Sequence, residues 1–153
     1  MLRDLNMKRL LVILLLFTAV NATCQTKIQN DTEYKAVNLK VNDAVFLRLK
    51  DTAQKYMPRF INALSKNKNQ YRFLVKSNFT EDGKHEHMWS QIVLYDAGSF
   101  EGIFIDSPFD LKRIKTGDKV KIAKKDVEDW AIFNAKDEKI AGGFSIDCLE
   151  KKK

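Results

Sequence analysis

Between Phe46 and Leu64, apolar side chains return every three or four residues; beyond Gln70 they return every second residue. A 3.6-residue repeat lines one stripe of a helix, and a two-residue repeat lines one face of a strand. Phe46, Leu49, Ala53, Tyr56, Met57, Phe60, Ile61 and Leu64 make the stripe, so residues 43–65 are read as an amphipathic helix. Asn42 or Asp43 can cap it, because a short side-chain oxygen accepts an exposed backbone N–H. Pro58 removes an N–H and crowds the preceding turn, so a kink or a restart is expected there. After a Lys/Asn-rich loop, Tyr71, Phe73, Val75 and Phe79 open the first strand. Residues 88–95 and 100–105 should pair as an antiparallel hairpin across Asp96-Ala97-Gly98-Ser99. Further strands are read at 120–123, 130–133 and 140–146, and Gly142-Gly143 inside the last marks a bulge or a close backbone approach. The expectation is an α+β fold: a kinked N-terminal amphipathic helix on a curved antiparallel sheet of about five to six strands, closing in a barrel-like way.

The first 24 residues have a different character. Arg3, Lys8 and Arg9 precede an apolar run from Leu10 to Val20, followed by Asn21, Ala22, Thr23 and Cys24. A basic start, a short apolar run and a small-residue exit read as an export signal. The run is about half the length needed to span a hydrocarbon core of roughly 30 Å. Two exits stay open: ordinary cleavage after Val20-Asn21-Ala22, or lipidation of Cys24 as the first residue of a lipoprotein. The organisation that follows is a signal at 1–24, a polar lead-in at 25–41, one α+β domain at 42–147 and a basic tail at 148–153. A chain of 153 residues has room for one domain.

Charge narrows the partners. The chain carries 27 basic and 20 acidic residues, net +7; without residues 1–24 it carries 24 and 19, net +5, partly in Lys151, Lys152 and Lys153. The basic residues form no stripe, and the chain reads as exported, so nucleic acid is not an expected partner. Membrane contact is expected only through the signal or a lipid anchor.

Both histidines lie in Lys84-His85-Glu86-His87-Met88-Trp89. Residues two apart in a strand share a face, so His85 and His87 could meet one ion, but two ligands are not a metal site and none is assigned. No nucleotide, hydrolase or dinucleotide motif is present, so no catalytic residue and no cofactor is assigned. Cys148 is read as a small apolar residue, with a Cys24–Cys148 disulfide open if export leaves both thiols. Trp89 follows the histidines and Trp130 follows the acidic cluster Asp126-Val127-Glu128-Asp129. Each Trp is either core or the wall of a groove beside His87 or Asp129, with Lys76 nearby.

Several short motifs stand in a fixed order: Asp43-Ala44, Met57-Pro58, Glu86-His87-Met88-Trp89, Phe100-Glu101-Gly102, Gly117-Asp118-Lys119-Val120, Val127-Glu128-Asp129-Trp130 and Gly142-Gly143-Phe144. In this the chain resembles the YegJ-like bacterial domain of unknown function, over roughly residues 42–147. The resemblance implies a compact α+β domain, often found in short exported proteins, and supplies no activity. It directs attention to Lys76, Glu86, His87, Asp129 and Trp130.

The leading expectation is an exported, non-enzymatic binding or interaction domain of the bacterial envelope. Its ligand, an unidentified protein or envelope component, would meet Lys76, Glu86, His87, Trp89, Asp129 and Trp130. The rival is a small hydrolase using His87 with Glu86 or Asp129 as acid/base groups. A third reading is a lipid-anchored accessory or immunity-type factor.

Overall fold

The computed structural model describes residues 43–150. The segment read as an export signal, Cys24 with the lipidation and disulfide expected of it, the lead-in and the three terminal lysines lie outside the described residues.

The apolar stripe forms helix α1, Ala44–Asn67. Asp43 caps it, its side chain accepting the Val45 N–H at 2.7 Å. The helix runs unbroken through Pro58, so the expected restart does not occur. Ala53, Met57, Phe60 and Leu64 are its buried residues.

Six strands follow: β1 Arg72–Glu81, β2 Lys84–Asp96, β3 Ser99–Phe104, β4 Lys119–Ala123, β5 Val127–Phe133 and β6 Lys139–Gly142. They make one antiparallel sheet in the order β4-β3-β2-β1-β5-β6. The β2–β3 hairpin pairs as read from the sequence, with Tyr95 opposite Phe100. The β1–β2 connection turns through Asp82 and Gly83, both at positive φ, the conformation a tight hairpin turn needs.

The barrel-like expectation is corrected: β4 pairs only with β3 and β6 only with β5, so the sheet is open. The last strand is also shorter than expected. It stops at Gly142, and the chain turns through Gly142 and Gly143 into helix α2, Phe144–Glu150. A Cβ at Gly142 would stand 2.1 Å from the Trp130 carbonyl oxygen, so the close backbone approach read from the Gly-Gly pair is real.

The core lies between α1 and the sheet. Met57, Phe60 and Leu64 pack against Phe73, Val75, Ile92, Phe100, Val127, Trp130 and Ile132. The Phe60 ring alone lies 5.3–5.7 Å from those of Phe73, Phe100 and Trp130. Burial of such a side chain contributes about 1.5–3 kcal/mol. A smaller cluster of Met88, Phe104 and Leu111 anchors the long β3–β4 connection. No helix of the described residues is long and apolar enough to cross a membrane.

Candidate functional site

Strand register brings Trp89, Lys76 and Asp129 into one row. Lys76 lies opposite Trp89 on β2 and opposite Asp129 on β5. The Lys76 ammonium sits 5.9 Å from the centre of the Trp89 ring. His87, two residues before Trp89, shares its face of β2.

The register of β1 with β5 then slips. Lys76 faces Asp129, but Ser77 faces Val127, so Glu128 is the extra residue of a bulge. A bulge re-aims its side chains and strengthens the local twist. Here it sends Glu128 to His87: Nδ1 and Oε2 are 2.6 Å apart. Glu128 is 7% exposed and the His87 side chain 26%. An ionised carboxylate only accepts, so Nδ1 carries the donated hydrogen. The Phe46 ring of α1 meets the imidazole edge-on at 5.5 Å. Phe46, Leu49, Lys76, His87, Glu128, Asp129 and Ser145 line a concavity of about 60 Å³.

Asp129 borders this concavity, but its oxygens are occupied. Oδ1 accepts the N–H groups of Trp130 and Phe144, and Oδ2 accepts the N–H and hydroxyl of Ser145 at 2.8 and 2.6 Å. The carboxylate thereby fixes the start of α2. Burial pushes its pKa up, against the pull of those hydrogen bonds.

Two of the sequence-derived candidates lie elsewhere. Glu86 turns to the β3–β4 connection, where Oε2 accepts the Phe109 N–H at 3.0 Å and Oε1 the N–H groups of Asp110 and Leu111. Burial raises its pKa, but the three donors together outweigh burial and hold it below the ordinary value. Trp130 is 1% exposed in the core, and its indole N–H donates to the Ala53 carbonyl at 2.9 Å. Trp89 stays partly exposed beside Lys76, its backbone N–H donating to Asp106 at 2.7 Å.

Lys76, His87 and Asp129 are thus brought together, with Trp89 adjoining. Glu128, Phe46, Leu49 and Ser145 complete the concavity and were not singled out as site residues. Glu128 left a trace in the sequence as part of the acidic cluster beside Trp130, but the bulge that turns it inward left none. His85 is set apart, its Nδ1 3.1 Å from the Thr80 hydroxyl. Among the described residues no group of three or more His, Cys, Asp or Glu could hold a metal ion.

A family described as "Uncharacterized protein conserved in bacteria (DUF2314)" matches residues 38–153. The uncharacterized protein YegJ of Escherichia coli (strain K12) is 35% identical over 97 residues. That match covers 63% of this chain and 61% of the relative's own length. No solved structure matches the chain.

Proposed function

The chain belongs to the DUF2314 family of bacterial proteins, and we propose that it is an exported, non-enzymatic binding domain of the cell envelope. Export is supported by the basic, apolar and small-residue succession over residues 1–24. Binding is supported by one observation above all: polar side chains converge on a concavity of only about 60 Å³. Pockets that enclose a whole small molecule run to about 300–1,000 Å³. A space this small suits one protruding group of a larger partner, seated against Phe46 and Leu49 and held by Lys76, His87 and Glu128.

Capture from an envelope extract tests this reading. The immobilised chain should retain a component that His87→Ala and Glu128→Gln lose, while both variants keep cooperative unfolding. Equal retention by wild type and variants would remove the site from the account.

The close His87–Glu128 pair gives a second reading its footing. A carboxylate that orients an imidazole through Nδ1 leaves Nε2 to take a proton from water, as a hydrolase requires. In that case His87→Gln should abolish turnover of small ester or amide substrates by the folded chain; absence of turnover by wild type on a broad panel argues for binding. The lipid-anchored accessory reading is separated by mass spectrometry of the mature N-terminus. A diacylglyceryl Cys24 supports it and a free Thr23 opposes it.

A further inference from the structure

We propose that the group seated in this concavity is a neutral carboxamide, carried by a glutamine or asparagine side chain of the partner. This rests on the binding reading above and adds the chemical class.

The concavity offers both halves of an amide's hydrogen-bonding pattern. Lys76 brings a cationic donor, and among the described residues no carboxylate lies within ion-pair distance of it. Glu128 brings an acceptor: Oε2 is taken by His87, and Oε1 accepts no hydrogen bond from the described residues. His87 holds Glu128 in place through the Nδ1–Oε2 bond, so that Oε1 is the oxygen left to a ligand. Asp129 and Ser145 also line the space, but they are bonded to each other. Phe46 and Leu49 supply apolar wall for methylenes behind the polar tip.

Charge separates the candidate classes. A carboxylate tip would approach Glu128, a like charge from which water is largely excluded. An ammonium tip would satisfy Glu128 but meet Lys76. A carboxamide meets no like charge: its oxygen accepts from Lys76, and its NH₂ donates to Glu128 Oε1. A site built to pair a specific donor and acceptor discriminates mainly by leaving its own buried groups unpaired when the wrong ligand enters.

The test is an NMR titration of the isotope-labelled full chain with three blocked amino acids of similar length: N-acetyl N-methylamides of glutamine, glutamate and lysine. The expected result is shifts at Lys76, His87 and Glu128, with the glutamine probe binding about ten-fold tighter than either charged one. Glu128→Gln removes the repelling charge while keeping size, so the preference for glutamine over glutamate should collapse. A merely structural role for Glu128 would not produce that change of ranking. Equal or tighter binding of the glutamate or lysine probe, no shifts at these residues with any probe, or an unchanged ranking in Glu128→Gln overturns the proposal. If envelope capture still depends on His87 and Glu128 while the probes show no amide preference, the ligand class is wrong and the binding reading stands. If capture does not depend on them, the binding reading has failed first.

Discussion

Glu128 and Asp129 are adjacent in sequence and do opposite work. Asp129 is saturated by internal donors, whereas Glu128 keeps one oxygen that accepts nothing from the described residues beside the concavity. Asp129→Asn should cost about 1–3 kcal/mol in denaturant unfolding, because an amide cannot accept from every donor that Asp129 serves. Trp130→Ala should cost about 3–5 kcal/mol, the range for emptying a large aromatic site in a core. That places Trp130 among the residues that hold the fold rather than those that meet a ligand.

The carboxylates also set a pH dependence at this scale. Burial raises the pKa of Asp106 and of Asp129 above 3.8 in the folded state. The folded state therefore binds protons before the unfolded chain does, and as pH falls from neutral through the raised values the cost of these two charges is relieved. Glu81 and Glu86 are held below 4.5, Glu81 by the Arg113 backbone N–H first of all. Their contribution is present above 4.5 and is lost as pH falls through their lowered folded values. Urea midpoints should thus rise on mild acidification and fall on stronger acidification. Asp106→Asn should diminish the rise, and an unchanged rise in that variant would contradict this assignment.

Among the elements, α1 was the most legible, because eight apolar positions at helical spacing leave little choice of face. The hairpins were legible through Gly83 and Gly98, where tight turns need positive φ. β5 was legible only in its apolar half, since its acidic beginning reads as solvated and becomes buried only through contacts distant in sequence. The His87–Glu128 pair spans 41 positions and depends on a one-residue register slip, which no local pattern encodes. The change from strand to α2 at Gly142-Gly143 was hidden because Phe144 and Ile146 continue the alternation of a strand. Gly142→Ala should be strongly destabilising, by roughly 1–3 kcal/mol or more, since the position has φ +70° and no room for a Cβ beside Trp130. The β3–β4 connection gives another element-scale expectation. Glu86 and Glu81 together accept five consecutive backbone N–H groups, from Phe109 to Arg113. Glu86→Gln leaves one carboxyl oxygen fewer for three donors, so hydrogen exchange at Phe109 to Leu111 should accelerate while exchange in β5 stays slow. Unchanged exchange would mean that Leu111 packing and the Glu81 bonds hold the connection without Glu86.

Over the whole molecule, charge is distributed unevenly. Residues 43–150 carry 18 basic and 17 acidic side chains, so nearly all of the net +7 lies in the terminal segments. The folded part therefore has little bulk charge with which to select a partner, and the proposed binding must rest on local arrangements such as the His87–Glu128 concavity. Family membership and the α+β architecture were both legible in the ordered short motifs; the openness of the sheet was not, because strand count alone does not say whether the edges meet. The most direct measurement is site-specific photo-crosslinking in cells, with a photoreactive phenylalanine at Phe46 in the concavity wall or at exposed Ile140 on β6. Binding through the concavity predicts a discrete crosslinked product from position 46, absent from position 140 and lost when His87→Ala is added. No product from position 46, or the same product from both positions regardless of His87, would contradict it.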